Sequence, residues 1–360
     1  MKPMKTNFGL RLFLIGAIFL SAADISGICA EISERAATIE RSERSADVGA
    51  LTKVKDKKRL PKLLEGKRRP KTFLEKFDFS YLLMQGYDRN ALHNSLHKGS
   101  WFNEHEFVAG FTDRPSENFV YHIDYQLQYD FYYEFGSQTV FKNSVNARSA
   151  YKVSPTLFIE TDYDFDIFRR PHSASAGYDG HQIKIGPKHY LIPRKLYQKP
   201  FYSFSYREYP KFKARDSSEN ETTADRKDLA HRLGYEIGFF VTPSILLRLR
   251  NQIGRNDSND QLRDFYDYDF YQVTPTLTWR FDKKTTLAGG VQYQRNNYDQ
   301  RDFSGSADRE NVYSAFANFH RALNKSVDWV VSCTYVKYDG NIPQLNFQNS
   351  LISTGFQIDF

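Results

Sequence analysis

Ile352-Ser353-Thr354-Gly355-Phe356-Gln357-Ile358-Asp359-Phe360 alternates apolar and polar positions. Ile352, Phe356, Ile358 and Phe360 point one way, and Ser353, Gly355, Gln357 and Asp359 the other. A strand has a side-chain period of two, so this segment reads as a strand with one apolar and one polar face. The pattern recurs upstream. Phe119, Tyr121, Ile123, Tyr125, Leu127 and Tyr129 alternate with His122, Asp124, Gln126, Gln128 and Asp130. Leu233, Tyr235, Ile237 and Phe239 oppose Arg232, Gly234, Glu236 and Gly238.

Extended along the chain, the alternation predicts strands beginning at Phe77 and near 102–111, 119–130, 139–153, 156–168, 181–192 and 197–209. Seven more follow near 228–241, 245–255, 265–281, 285–298, 311–322, 327–338 and 347–360. Short turns at Ser154-Pro155, Pro193-Arg194, Thr242-Pro243, Asp282-Lys283-Lys284 and Leu323-Asn324-Lys325 carry the usual turn residues. Long polar loops at 172–180, 214–228, 255–264 and 300–310 alternate with them. Pro275 sits inside a predicted strand. It removes a ladder donor, so a bulge or an extra turn there would change the count by two.

Such a chain is expected to be all-β, a closed antiparallel transmembrane barrel of about 14 strands. Lipid offers no hydrogen bonds, and closure pairs every strand edge. The composition fits: 16% of residues are aromatic, yet mean hydropathy is −0.62, because only alternate residues of a barrel touch hydrocarbon. The one long apolar run, residues 12–20, follows Lys2, Lys5 and Arg11 and precedes small residues at 21–23 and 28–30. It reads as a signal peptide over residues 1–30, too short to span a membrane as a helix. Cys29 goes with it or stands near the new N-terminus, which leaves Cys333 single, so no disulfide within the barrel is expected.

Residues 31–72 form a basic leader, with Lys53, Lys55, Lys57, Lys58, Arg59 and Lys62 in one run. It reads either as an arm for anionic groups or as a solvated periplasmic segment, disordered or with a short helix. Residues 73–360 make the barrel. Of the net charge of +7, much lies in the leader.

The closing strand with its final Phe resembles the C-terminal signature of bacterial outer-membrane β-barrels, in which that Phe is part of the assembly signal. Gly86-Tyr87-Asp88-Arg89-Asn90 is similar to the aromatic-Asp-Ser-Asn motif after the first strand of a broad group of such barrels. That group includes the barrel domain of surface lipoprotein assembly modifiers. Arg89 departs from the Ser. Those proteins also carry helical repeats before the barrel, and the leader has room for about one repeat of roughly 34 residues where about three make a stable array. The resemblance implies a bacterial outer-membrane location, contact with lipid and with the barrel assembly machinery, and Phe360 as assembly signal.

Residues opposite the apolar rows are expected in the lumen. Lys184, Lys188, Arg207, Arg232, Arg248 and Arg250 form a basic set, with Glu236 among them, and Glu160, Asp162 and Asp164 an acidic strip just before. They read as a transverse field that selects small anions or zwitterions, or as interstrand ion pairs that stiffen a water-filled interior. His122 and Asp124 share the inner face within hydrogen-bonding reach, with no assignable Ser, Thr or Cys nucleophile. His93 and His97, with Asp88 and His105, are the best metal set, but lack structural zinc spacing. The expectation is therefore a non-enzymatic barrel without cofactor, metal or nucleic-acid partner: a passive channel for small polar solutes. The alternative is a non-conducting barrel for surface protein assembly, export or anchoring.

Overall fold

The computed structural model describes residues 72–91, 98–171, 177–218, 220–261, 266–299, 309–341 and 346–360. The expected signal peptide, the leader up to residue 71, and His93 and His97 lie outside them. The first seven strands are β1 (Phe77–Asp88), β2 (Ser100–Asp113), β3 (Phe119–Tyr132), β4 (Val140–Lys152), β5 (Leu157–Arg169), β6 (Gly177–Ile192) and β7 (Leu196–Arg215). The rest are β8 (Glu221–Thr242), β9 (Ile245–Ser258), β10 (Tyr268–Arg280), β11 (Thr285–Tyr298), β12 (Arg309–Ala322), β13 (Val327–Gly340) and β14 (Phe347–Asp359). Each pairs with its sequence neighbours, and β1 pairs with β14, so the sheet closes. The seam runs from Ser80 opposite Asp359 to Asp88 opposite Leu351. The Phe360 N–H donates to the Phe79 carbonyl at 3.0 Å.

Side chains alternate across the wall as the sequence predicts. Outward residues are exposed although apolar: Leu233 60%, Ile253 56% and Ile352 55%. Inward neighbours are covered, with Val120 and Phe158 at 0% and Asp124 at 1%. In water such an exterior would be unstable; in hydrocarbon it is the favourable arrangement. Outward aromatics gather at both rims. Trp279 and Phe281 (4.1 Å between rings) and Phe319 and Trp329 (5.5 Å) lie by the short turns, and Tyr87 with Trp101 (5.2 Å) at the other end. These are interface girdles. The chain is a closed 14-stranded β-barrel with an apolar, lipid-facing exterior.

The short turns are held by their own side chains. Asp282 Oδ1 accepts from the Lys284 and Thr285 N–H groups at 2.6 and 2.7 Å. The Lys284 N–H is the main reason its carboxyl sits below the usual range. Asn324 Oδ1 likewise accepts from the N–H groups of Ser326 and Val327. Pro275 stays within β10 and the count stays at fourteen. Pairing with β9 runs through it, Pro275 opposite Leu249. The ladder to β11 passes from Val273–Tyr293 to Thr276–Gly290 without a pair between, at unchanged register.

The expected loop 214–228 needs correction. β7 continues to Arg215 and β8 begins at Glu221, so most of that stretch is a long hairpin beyond the membrane, with register shifts between Tyr209 and Arg215. Beyond the membrane its outward face no longer meets hydrocarbon, so the apolar row that marks a strand in lipid is missing there. The loops expected at 172–180 and 255–264 are shortened in the same way, by Gly177 at the start of β6 and Ser258 at the end of β9.

Inside, some rings lie over glycines of the next strand. A Cβ on Gly234 would stand 2.1 Å from the Phe201 ring, and one on Gly238 would stand 2.1 Å from the Tyr197 ring. Only glycine leaves room for these rings to lie flat against the wall.

Candidate functional site

From β2 round to β14 the lumen wall divides into three arcs by side-chain chemistry, with the inner face of β1, which carries Leu82 and Met84, at the seam. The β2–β5 arc carries Glu104, Glu106, Asp124, Asp130, Glu160, Asp162, Asp164 and Asp166, with Lys142 and Arg148 on β4. The β6–β9 arc carries Lys184, Lys188, Lys199, Arg207, Arg226, Arg232, Arg248 and Arg250, with Asp228 and Glu236 among them. The β10–β14 arc is mostly amide and hydroxyl, for example Gln272, Thr274, Gln292, Gln294, Asn318 and Ser353, with Glu310 and the His320–Asp328 pair as charged exceptions.

The ten expected lumen residues all stand on the face opposite the exposed apolar row. At the border of the acidic and basic arcs, Glu160 meets Lys199 at 2.5 Å and Lys188 at 3.5 Å, and Asp162 lies 3.9 Å from Lys199. Glu160 reaches Lys199 two strands away because Gly186, between them on β6, has no side chain. Lys188 also lies over the Tyr197 ring, 4.3 Å from its centre. Glu236 accepts from Arg250 at 2.9 and 3.1 Å and from the Tyr197 hydroxyl at 2.8 Å. Arg207 lies 5.0 Å above Tyr178, and Arg232 5.6 Å from Phe270. Lys184 faces Phe201 at 4.4 Å. Among the described residues neither Lys184 nor Arg248 has an ion-pair partner, and the Arg248 Nε has no hydrogen bond. Asp164 stands opposite Gln182 and Asn146 rather than a cation.

The acids of β2 and β3 were not among the expected site residues. Their inward parity was readable, but their membership of one arc depends on strand order. Lys199 shares the inward, odd parity of Arg207 on β7 but was missed, because the aromatic Tyr197 and Phe201 flank it on the same inward row.

A second cluster closes in at the outer rim, where the β7–β8 hairpin bends inward at its bulge. The Arg226 guanidinium lies 3.3 Å from the Tyr266 ring centre, 4.4 Å from Tyr209 and 5.5 Å from Phe212. It donates to both oxygens of Asp228 at 3.0 and 2.6 Å. Tyr178 continues the cluster from Tyr209 to Phe168. A bidentate arginine stacked on rings is a rigid arrangement.

The motif after the first strand is a clasp. Asp88 and Asn90 are buried, at 1% and 0% exposure. The Asn90 N–H donates to Asp88 Oδ1 and Asn349 Oδ1, both at 3.0 Å, and its amide to the Gln348 carbonyl. Tyr132 donates to Asp88 Oδ2 at 3.1 Å. The motif ties β1 to β14 at the seam and to β3 across β2.

His122 Nε2 does lie 2.6 Å from Asp124, as expected. The structure adds what the sequence reading did not assign: Thr112 Oγ1, 2.7 Å from His122 Nδ1, and Arg148, 2.8 Å from the other Asp124 oxygen. Thr112 is brought there by the β2–β3 register, which sets it opposite His122. The order hydroxyl, imidazole, carboxylate is that of a nucleophilic site. The β1–β2 ladder ends at Phe77–Phe111, so Thr112 is paired only with β3, opposite His122. The suggested metal set does not converge: Asp88 faces inward in the clasp, whereas His105 faces outward against the Tyr81 hydroxyl at 2.6 Å. Among the described residues no group of three or more His, Cys, Asp or Glu is placed to hold a metal.

No family model and no curated protein matches the chain. Solved barrels of similar form exist. Acinetobacter baumannii OccAB4 is 10% identical, with TM-score 0.44, over 79% of this chain and 98% of its own. The CymD monoaromatic hydrocarbon channel is 9% identical, with TM-score 0.45, over 83% and 91%. Pseudomonas aeruginosa OpdK with vanillate is 8% identical, with TM-score 0.42, over 80% and 100%. Similarity this low tells nothing of what this barrel carries.

Proposed function

We propose that the barrel is a passive channel for small polar solutes, with a preference for anions and zwitterions. The observation that carries this reading is the separation of charge around the wall. An acidic arc and a basic arc lie side by side, and among the described residues Lys184 and Arg248 on the basic side form no salt bridge, although Asp162 stands opposite Lys184. Charges of opposite sign on different arcs make a field across the pore, which orients dipolar solutes and lowers the energy of an anion beside the basic arc. The neutral amide and hydroxyl arc offers donors and acceptors that exchange with the hydration shell of a passing solute. We further propose that residues 1–30 are a signal peptide, that residues 31–72 are a periplasmic leader, and that Phe360 is read by the barrel assembly machinery.

Swelling of liposomes that contain the purified barrel tests this reading. Small anionic and zwitterionic solutes should enter faster than cations of the same size. Equal rates for all three, at the level of protein-free liposomes, would overturn it. The second reading, a non-conducting barrel for assembly or anchoring, is favoured by the packing of Arg226 against Tyr209, Phe212 and Tyr266 at the outer mouth.

A further inference from the structure

The chain enters the barrel from its outer side. β1 is preceded by a single 3-10 turn, Leu74–Lys76. The Thr72 N–H donates to Glu75 Oε2 at 2.8 Å, and Lys76 pairs with Asp113 at the end of β2 at 2.9 Å, so the turn is pinned to the wall. The Phe73 ring packs on Phe77 at 5.2 Å and reaches Phe111 at 6.5 Å. Both belong to the outward rows of β1 and β2, opposite the covered Leu82 and Val108. From Phe111 the outward rings continue along the rim to Tyr121 and Phe119 on β3, 6.0 Å apart at each step. Phe73 is 68% and Leu74 80% exposed. On the outer wall beside this belt, such side chains leave water by entering the membrane interface.

Thr72 therefore stands outside the wall, at the level of the lipid headgroups, and not beneath the pore. The sequence just before it is strongly cationic. Of residues 53–71, ten are Lys or Arg, and only Asp56 and Glu65 are acidic. Charge alone would suit the lumen as well, where Asp78 and Glu160 stand near the short-turn ends of β1 and β5. The outward seat of Phe73 and Leu74 separates the two destinations, because it delivers the cations to the headgroup plane. A run of Lys and Arg next to an interfacial anchor is attracted to an anionic bilayer, each residue adding to the binding.

We propose that residues 53–71 bind the anionic phospholipid surface of the leaflet at the short-turn end of the barrel, with Phe73 and Leu74 as the anchor that holds them there. The partner is the charged headgroup surface as a whole, so no particular acyl chain is required. The proposal rests on residues 31–72 being a leader on that side of the membrane, and does not need the lumen to conduct.

Fluorescence quenching of the full chain in nanodiscs tests it. One disc is phosphatidylcholine, the other phosphatidylcholine with phosphatidylglycerol, and both carry a headgroup nitroxide lipid as quencher. A fluorophore is placed at Leu63→Cys or at Thr72→Cys, with Cys29→Ser and Cys333→Ser to remove the other thiols. The Thr72 label should be quenched in both discs. The Leu63 label should be quenched only with phosphatidylglycerol, and released near 1 M salt, where the Debye length is about 3 Å. Each cation removed should weaken the association about fivefold, so Lys57→Gln, Lys58→Gln, Arg59→Gln and Lys62→Gln together should abolish quenching at Leu63. Equal quenching at Leu63 in the two discs, or quenching that survives 1 M salt, would overturn the proposal. So would a Thr72 label that is quenched in neither. An unquenched Leu63 label, with conductance that rises when residues 31–71 are removed, would put the leader in the lumen instead. An unquenched label on a chain that sediments with peptidoglycan would make that the partner. Nanodiscs leave both faces of the bilayer open, so failure here is distinct from an inverted orientation, which antibody access on whole cells decides.

Discussion

Replacing Lys184 and Arg248 together by Gln removes two cations of the basic arc that form no salt bridge among the described residues. Their effect on a passing ion follows from Coulomb's law. At about 6 Å and the dielectric constant of water, each unit charge changes the ion's energy by about 0.7 kcal/mol. Two of them give about 1.4 kcal/mol, which is about a tenfold change in relative anion occupancy. Screening reduces this at about 0.1 M salt, where the Debye length is about 10 Å, and nearly abolishes it at 1 M, where it is about 3 Å. The assay is the reversal potential of the purified barrel in a planar bilayer under a salt gradient. The anion-to-cation permeability ratio of the double variant should fall about three- to tenfold near 0.1 M, and by less than about twofold near 1 M. An unchanged ratio at low salt would refute the reasoning, because the two side chains would then not face the conducting path. An equal fall at both salt concentrations would refute it too, since it would point to altered pore shape instead of charge.

Other parts of the account can be tested separately. Gly234→Ala should destabilise the barrel by about 1–3 kcal/mol in urea unfolding, because its Cβ collides with the Phe201 ring. Adding Phe201→Ala should recover part of that loss, and strict additivity of the two changes would contradict the contact. Removal of Phe360 should lower the amount of barrel inserted in cells more than the urea stability of what does insert; normal insertion would remove its assembly role. A peptide tag placed after Ser218, at the tip of the β7–β8 hairpin, should be reached by antibody on intact cells. If access requires a broken outer membrane, the orientation is inverted.

The sequence is legible wherever one strand face meets hydrocarbon. The rows from Phe119 to Tyr129, Leu233 to Phe239 and Ile352 to Phe360 place their strands and predict which face is inward. The same rule loses the signal above the membrane, where Arg215 and Glu221 extend β7 and β8 through a stretch that is polar on both faces. Pairs across strands are harder still. Parity puts Thr112 and His122 on the inner face, but only the β2–β3 register sets them opposite each other. The clasp of Asp88 and Asn90 on β14 joins residues more than 250 positions apart, and no local pattern reports it. The ten lumen charges were readable one by one. Which of them are paired and which are free was not, because that depends on Gly186 leaving a gap through which Lys199 reaches Glu160.

Single-channel recording of the purified, unmodified barrel tests the central claim most directly. Discrete, ohmic conductance steps that favour chloride over potassium at low salt are the predicted result. A folded, inserted barrel that passes no current at any voltage would contradict the channel and leave assembly or anchoring as the function.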